Sequence, residues 1–237
     1  GPDKVRLMLV DPKRFELSAY EKLPHLITPV IYQAIKTVRA LSWAVKEMER
    51  RHDILEAEQA MNIAQYHEKV YEPALADWKK KGHGASEVGM AESMPYIVIV
   101  IDELNDIMQA YPRELEACIV RLAQMSRAVG IHLILSTQRP SVNVITGTVK
   151  ANIPTRIGLA VASQVDSRTI LDVAGAEKLS GNGDMLYLPS DQPVPIRVQA
   201  YHVPEDEIVK RVDECIKKYS KDHLGAAELD DENDPIY

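Results

Sequence analysis

The stretch PYIVIVIDELNDIM, which begins at residue 95, constrains the fold more than any other part of the chain. Residues 97–101 are all β-branched, and Asp102 and Glu103 follow them directly. An uninterrupted apolar run predicts a strand that is buried on both faces, because a half-exposed strand alternates apolar and polar residues. In open α/β sheets, ligands bind at the carboxyl ends of the strands. The sequence therefore predicts a ligand site where these two carboxylates lie.

Strands and helices alternate along the chain. Residues 5–10 form a short apolar run that an Asp-Pro pair ends, and residues 33–60 carry apolar side chains at helical spacing. A helix is predicted over 113–129, with Gly130 as its C-terminal cap, and the strand IHLILST follows it. This alternation predicts an α/β fold with a mostly parallel sheet and helices on both faces.

The second half of the chain is predicted to contain a further helix and further strands. DSRTILDVAG is typical of a short helix, with Asp166 or Ser167 as its N-terminal cap. GDMLYL and PIRVQAYH are two further strands that can form a hairpin. The core is predicted to cover 3–203.

Three segments lie outside that regular pattern. A polar, glycine-containing surface insertion is predicted at 71–95. A closing helix is predicted over 204–220, because a proline and several acidic residues stand at its start. An acidic, disordered tail is predicted at 221–237.

Composition excludes several classes of protein. The formal net charge of −7 excludes a molecule that is basic throughout, although a local basic patch can still contact nucleic acid. Cys118 and Cys215 have no metal-ligand spacing and are interpreted as reduced thiols in a cytosolic chain. No apolar run approaches the roughly 18 residues that a membrane-spanning helix needs, so this segment is expected to make no membrane contact.

The acidic pair after the buried strand has the arrangement of a Walker B motif. In such a motif the aspartate holds a Mg²⁺ ion that bridges the β- and γ-phosphates of ATP, and the glutamate accepts a proton from the attacking water. The alternative is a solvated strand end that happens to carry two acidic residues. The short pattern alone leaves both interpretations open.

The surrounding segments resemble the motor domain of the FtsK/SpoIIIE family of bacterial DNA translocases, from residue 5 to about residue 203. The segments that carry the resemblance are MLVDPKRFELSAYEKLPHLITPV, EMERRHDIL, PYIVIVIDELNDIM, RLAQMSRAVGIHLILSTQRPSVNVITGTVKANIPTRI and DSRTILDVAGAEKLSGNGDMLY. The resemblance implies a RecA-like core that assembles as a homo-hexameric ring around double-stranded DNA. Such a ring uses ATP and Mg²⁺ to move the duplex in chromosome segregation and cell division.

The resemblance assigns roles to residues near the nucleotide. Asp102 and Glu103 match the Walker B pair, with Asp102 as the metal ligand. Gln138 matches a sensor glutamine, since an amide can detect the γ-phosphate without adding charge; the alternative is an ordinary polar loop residue. Arg127 matches an arginine finger that reaches the ATP of a neighbouring subunit. Its alternative is an arginine that stabilises a helix C-terminus, and Arg121 is the second choice for the finger.

Two residues after the first strand are also part of the resemblance. Asp11 and Lys13 are expected beside the nucleotide, where they hold in place the residues that contact it directly. The alternative is a turn stabilised by Asp-Pro chemistry. Asn105 departs from the family, which commonly has a small apolar residue there, and the sequence offers no physical account of this change.

The resemblance also implies a track for duplex DNA. The contacts are expected to be with phosphates, because a translocase cannot depend on base sequence. Arg139 and Lys150 lie in one matching segment, and Ser167 and Arg168 lie in the other. The alternative for Arg168 is an ion pair with the aspartate four residues later on the same helix.

One expected motif is missing from the printed sequence. A phosphate-binding Walker A loop has the pattern G-x-x-x-x-G-K-[ST], and the chain contains no Gly-Lys-Ser or Gly-Lys-Thr. The resemblance therefore implies a truncated motor that lies on the cytoplasmic side of the bacterial inner membrane and is anchored by a part not present here. By itself the chain is expected to show no measurable ATP hydrolysis and to leave apolar sheet surface uncovered.

Two other functions remain open on sequence grounds. The first is a related ring ATPase of conjugation or secretion with the same RecA-like core. The second is a non-catalytic fragment that contacts subunits or docks DNA while another chain supplies the catalysis. Binding of ATP and of duplex DNA distinguishes these possibilities.

Overall fold

A computed structural model describes residues 1–81 and 91–219. Its first sheet is parallel, in the order β1-β2-β3, with β1 at Val5–Val10, β2 at Tyr96–Ile101 and β3 at Ile131–Leu135. The registers pair Val10 with Ile101 and Ile101 with Leu135. All three strands therefore end at the same edge of the sheet, with β2 in the centre.

The helices that accompany this sheet follow the predicted pattern in outline. They are α1 at Ala34–Ala57, α2 at Ile63–Tyr66, a π-helical segment at His67–Tyr71, α3 at Glu72–Lys80, α4 at Leu104–Ala110 and α5 at Pro112–Met125. The predicted insertion at 71–95 differs from the structure, because its first part is helical. The side chain of Asn62 accepts a hydrogen bond from the Gln65 N–H and begins this helical stretch. Residues 82–90 of the insertion lie outside the described residues.

The core lies on one face of the parallel sheet. Ile97, Ile99 and Ile101 are buried there against apolar side chains of α1, α4 and α5. On the other face Val98 is only half-buried, and Ile134 of the neighbouring strand is 54% exposed. The prediction that β2 is buried on both faces is therefore wrong. The described residues cover one face of the strand fully and its other face only in part.

The second sheet is antiparallel and consists of β4 at Arg156–Leu159, β5 at Asp184–Leu188 and β6 at Ile196–Gln199. The pairing of β5 with β6 confirms the predicted hairpin. One face packs on a small core of Leu171, Ala176 and Leu188. The other face carries exposed apolar side chains, namely Ile157, Leu159, Ile196 and Val198.

Three helices complete the described chain: α6 at Gly147–Asn152, α7 at Gln164–Leu171 and α8 at Glu205–Tyr219. The last of these is the predicted closing helix, and the predicted tail at 221–237 lies outside the described residues. Among the described helices, none combines the length and apolarity required to cross a bilayer. Cys118 and Cys215 are both free thiols.

Two predicted helix caps are wrong. The N-cap of α7 is Ser163, whose hydroxyl accepts a hydrogen bond from the Asp166 N–H at 3.2 Å, so the helix begins before the predicted caps at Asp166 and Ser167. The second wrong cap is Gly130. Because α5 ends at Met125, Gly130 lies in the turn that leads into β3 and does not cap the helix. Gly130 is required there for another reason: its φ is +73°, and an added Cβ would lie 2.8 Å from a side-chain carbon of Ile63.

Candidate functional site

The candidate site lies where the three parallel strands end. Asp11 follows β1 directly, Asp102 and Glu103 follow β2, and Thr137 and Gln138 lie just beyond β3. The parallel registers bring these chain segments to one edge of the sheet. The structure thus brings together five side chains that the sequence assigns to the nucleotide site, those of Asp11, Lys13, Asp102, Glu103 and Gln138.

The carboxylate of Glu103 is fully buried and accepts hydrogen bonds from both neighbouring strand ends. The Thr137 hydroxyl donates at 2.6 Å, the Gln138 N–H and the Asn105 N–H each donate at 3.2 Å, and Lys13 Nζ lies at 3.2 Å. Burial alone raises the pKa of Glu103, but these donors, led by the Thr137 hydroxyl, outweigh burial and hold the pKa below its ordinary value. Glu103 is therefore ionised at neutral pH and fixed in orientation.

Lys13 connects the predicted catalytic glutamate with the predicted sensor. Its Nζ lies 3.2 Å from Glu103 Oε2 and 3.2 Å from Gln138 Oε1. The Lys13 side chain is 31% exposed, so this cluster is open to solvent on one side. Because the Gln138 oxygen accepts from Lys13, its NH₂ group remains available as a donor, and within the described residues it makes no hydrogen bond.

Asp102 differs from its neighbour because its carboxylate lacks a full set of partners. Oδ2 is buried and has no hydrogen-bond partner within the described residues. Burial raises the pKa of Asp102, and the negative charges of Asp11, Glu16 and Glu103 raise it further. An unpaired buried carboxylate oxygen in an acidic neighbourhood is costly, and a cation placed there would remove the cost.

The residues at this edge fit Mg²⁺. This ion binds proteins through one or two carboxylates and completes its shell with water and substrate phosphates. Within the described ranges, no three His, Cys, Asp or Glu side chains cluster as a self-contained metal site. A single unpaired oxygen on Asp102 therefore suits a magnesium ion that takes its other ligands from a nucleotide and from water. It does not suit a metal centre whose ligands all come from the protein.

Asp11 has a structural role in the loop that carries Lys13. It is fully buried, and its carboxylate accepts hydrogen bonds from the Arg14 N–H at 2.8 Å and the Leu17 N–H at 3.0 Å. Arg14 has a φ of +62°, a conformation that these bonds stabilise. The geometry favours the turn alternative for Asp11, with both carboxylate oxygens occupied by backbone donors.

Arg127 lies at the opposite edge of the parallel sheet, in the turn between α5 and β3. It is separated from Gln138 by the whole length of β3, which is roughly 17 Å for five residues. Its side chain is exposed and makes no polar contact within the described residues. Arg127 cannot reach Asp102 or Glu103 of its own chain.

The residues predicted to contact DNA fall into two groups. Arg139 and Arg168 are exposed, and their guanidinium groups have no hydrogen-bond or ion-pair partner among the residues the structure describes. Lys150 is engaged, because its Nζ lies 2.6 Å from Asp172 Oδ1. The other oxygen of Asp172 lies 2.6 Å from Arg156. The alternative pairing of Arg168 with Asp172 is therefore wrong.

Ser167 is placed where it cannot serve as predicted. It is fully buried, its hydroxyl donates to the Val173 carbonyl at 2.8 Å, and it accepts from the Ala176 N–H at 3.0 Å. Both bonds hold the turn after α7 against the small core. This position argues against a contact between Ser167 and a DNA phosphate, and it leaves the adjacent Arg168 as the accessible group.

Sequence reasoning missed Thr137 and Arg156. Thr137 can donate to Glu103 because the register of β3 places Thr137, the residue before Gln138, next to the Glu103 carboxylate. A sequence signal existed, since a hydroxyl residue at the end of a strand that borders an acidic pair is a natural donor. No sequence signal indicated that Arg156 shares Asp172 with Lys150, because the three residues lie on separate elements.

The Asp102→Asn substitution is expected to raise stability at neutral pH. Because the folded-state pKa of Asp102 is raised, ionisation penalises the folded state above that pKa, and the penalty is absent below the unfolded-state pKa. We expect a gain of about 0.5–2 kcal/mol at pH 7, and the gain should vanish as the pH falls through the folded-state pKa. Urea unfolding of the unsubstituted chain and of the Asp102→Asn variant between pH 3 and pH 8 measures the gain in stability. A gain that is constant with pH would contradict the prediction.

Solved structures share this architecture. The conjugation coupling protein TcpA of pCW3, in its monomer form with ATPγS, has a TM-score of 0.69 at 26% identity, over 90% of this chain and 57% of that chain. The cytoplasmic domain of the Type VII secretion ATPase EccC from Thermomonospora curvata has a TM-score of 0.66 at 24% identity, over 89% and 24%. Together with the acidic pair at the central strand, they define the class by its fold, the α/β fold of P-loop ATPase domains, which confirms the predicted fold.

Within that class, the chain belongs to the FtsK/SpoIIIE family, whose sequence profile matches residues 1–142. The DNA translocase FtsK of Clostridium tetani is 50% identical over 212 residues, which are 90% of this chain and 26% of that protein. The DNA translocase SpoIIIE of Bacillus subtilis is 46% identical over 215 residues, 91% and 26%. The chain thus spans about a quarter of the length of these relatives, and the predicted family is confirmed.

Proposed function

We propose that this chain forms part of an ATP-driven motor that moves double-stranded DNA during chromosome segregation and cell division, as one subunit of a hexameric ring. The observation that carries the proposal is the unpaired Asp102 oxygen at the end of the central strand, beside an oriented and ionised Glu103. The relatives named as DNA translocases support DNA as the substrate. In the cell this segment would lie on the cytoplasmic side of the inner membrane, with an anchor supplied by another part of the protein.

Each residue at the strand ends has a proposed task in hydrolysis. Asp102 would hold Mg²⁺, which when bound supplies positive charge to the β- and γ-phosphate oxygens. Glu103, oriented by Thr137 and Gln138, would accept the proton of the attacking water. The free NH₂ group of Gln138 would donate to the γ-phosphate. Arg127 would act on the nucleotide of a neighbouring subunit, because it lies at the edge away from its own site.

The test uses the full-length polypeptide that carries this segment, because the segment itself contains no Gly-Lys-Ser or Gly-Lys-Thr for the phosphates. ATP hydrolysis is measured with and without Mg²⁺ and with and without linear duplex DNA. We expect Mg²⁺-dependent turnover that duplex DNA stimulates several-fold, and loss of turnover in the Asp102→Asn variant. Turnover without any response to DNA would contradict the DNA-motor proposal.

The exposed arginines are expected to form the phosphate contacts with duplex DNA. Replacing both Arg139 and Arg168 by Ala should weaken binding to all duplex sequences equally and reduce the salt slope of log K by about 2 per chain. Fluorescence anisotropy with a labelled duplex between 50 and 300 mM KCl measures both. The control is Arg211→Ala, which removes an exposed arginine of α8 that pairs with Glu207. An equal loss in the control would show a general charge effect instead of a track.

A second candidate function is a conjugation or secretion motor. The similarity to the conjugation coupling protein TcpA favours it specifically, since that structure covers 90% of this chain. A secretion motor would hydrolyse ATP in response to a protein substrate, and duplex DNA would leave its rate unchanged. The DNA-stimulation experiment therefore separates a secretion motor from a motor that moves DNA, whether in segregation or in conjugation.

A further inference from the structure

Two side chains of α1 contact the turn that carries Arg127. Arg51 Nη1 donates to the Val129 carbonyl at 3.0 Å, and the ring Nε2 of His52 lies 3.0 Å from the Met125 carbonyl. These two contacts lie at the two ends of the turn, one before and one after Arg127 in sequence. Consecutive residues of one helix therefore set the position of a short segment more than 70 residues away in sequence.

Arg51 is buried in the core. It is 2% exposed, and the same Nη1 also donates to the Pro95 carbonyl at 2.8 Å, just before β2. Its Nε donates to Glu47 Oε1 at 2.7 Å, which balances the buried charge. Because a planar guanidinium directs its donors in a rigid geometry, the group fixes the turn relative to the start of the central strand.

The turn is also fixed by other backbone and side-chain bonds. The Ile63 N–H at the start of α2 donates to the Ala128 carbonyl at 2.8 Å. The Ser126 hydroxyl donates to the Ile131 carbonyl at 2.7 Å. With Gly130 in a left-handed conformation against Ile63, little freedom remains in the backbone between α5 and β3.

Arg127 is the exception in this fixed turn. Its guanidinium is exposed and has no hydrogen-bond or ion-pair partner among the described residues. A cation on a rigid backbone loses little conformational freedom when an anion arrives, so its contact is stronger than that of a cation on a mobile loop. The arrangement is suited to a group that acts on something outside its own chain.

We propose that Arg51 and His52 are positioning residues that hold Arg127 for a nucleotide phosphate bound at the strand-end site of a neighbouring copy. The inference rests on the proposed function and assigns the geometry of the intersubunit contact to α1. Its alternative is that the contacts from α1 only close the core and have no particular consequence for Arg127.

The experiment measures single-turnover and steady-state ATP hydrolysis of the full-length polypeptide with saturating duplex DNA. The variants are His52→Ala, Arg127→Ala and the two combined. Arg127→Ala should lower kcat by about 10³-fold or more, as expected for an arginine finger. His52→Ala should lower kcat by about 10- to 100-fold with little change in KM for ATP, because a small displacement of the cation weakens only the contact made during reaction.

The double variant separates positioning from general stabilisation. If His52 acts through Arg127, then His52→Ala has no further effect on kcat once Arg127 is removed. His52→Gln, whose amide NH₂ can still donate to the Met125 carbonyl, should recover most of the activity. Arg211→Ala is the matched control, because it removes an exposed arginine of α8 that pairs with Glu207 and should leave kcat within about two-fold.

The outcomes distinguish the inference from the proposed function. If Arg127→Ala lowers kcat and His52→Ala does not, or if the two effects multiply in the double variant, the positioning role is wrong while the arginine finger remains. If Arg127→Ala leaves kcat unchanged, the proposed finger itself fails and the inference fails with it. A thermal-unfolding measurement on His52→Ala ensures that a fall in kcat is read only on folded protein.

Discussion

Replacing Glu103 by Gln in the full-length polypeptide is expected to lower Mg²⁺-dependent ATP hydrolysis by a factor of about 10²–10⁴, the usual contribution of a general base. The reason lies in the environment of the side chain. Its donors keep the carboxylate ionised and directed, and an amide in the same place cannot accept a proton from water. Nucleotide binding should persist, since Asp102 is unchanged, and fluorescent-nucleotide titration measures this separately.

The matched control for Glu103 is Glu16→Gln. Glu16 is exposed, lies close enough to raise the pKa of Asp102, and makes no hydrogen bond to the strand ends within the described residues. Its removal changes the local charge by the same amount but leaves the oriented carboxylate in place. We expect the control to keep its rate within a few-fold. If Glu103→Gln retained more than a tenth of the rate, Glu103 would be a structural link between strand ends instead of a base.

Replacing Arg51 by Met is expected to lower the free energy of unfolding of the chain by about 3–5 kcal/mol, the cost of removing one partner of a buried ion pair. The substitution leaves Glu47, only 12% exposed, without its buried partner. It also leaves the carbonyls of Pro95 and Val129 without a donor. Urea denaturation followed by circular dichroism measures the change.

The adjacent residue provides the control. Arg50 also pairs with Glu47, and it pairs with Glu92 as well, but its side chain is 46% exposed and the pairs are open to solvent. Arg50→Met should therefore cost only about 0–1 kcal/mol. Equal losses for Arg50→Met and Arg51→Met would contradict the assignment of the stabilising contacts to Arg51.

Much of the candidate site could be predicted because it depends on local pattern. The apolar run of β2 and the carboxylates that follow it identify the strand and its functional edge without any knowledge of the neighbours. The position of Gln138 follows for a similar reason, since a residue just past a parallel strand must lie at the same edge. The resemblance then supplied roles that spacing alone left open.

The errors have a common cause. Asp166 and Ser167 are residue types that favour a helix cap, but the helix begins at Ser163, which turns the Ser167 hydroxyl toward the core. The apolar run of β2 predicts burial on both faces, but an apolar residue is buried only if another element covers it. Those outcomes depend on helix phase and on packing partners, which local sequence does not encode.

The local pattern of residues is enough to place the main strands and helices, although not every helix end, and to identify the side chains at the carboxyl edge, because backbone periodicity and parallel pairing act over short distances or along the strand. Local sequence does not show that Glu103 is an ionised acceptor held by Lys13 and Thr137, that one Asp102 oxygen has no partner among the described residues, or that Arg51 contacts the Arg127 turn. Each of these properties depends on burial and on donors up to 90 residues apart in sequence, which come together only when the sheet and α1 pack.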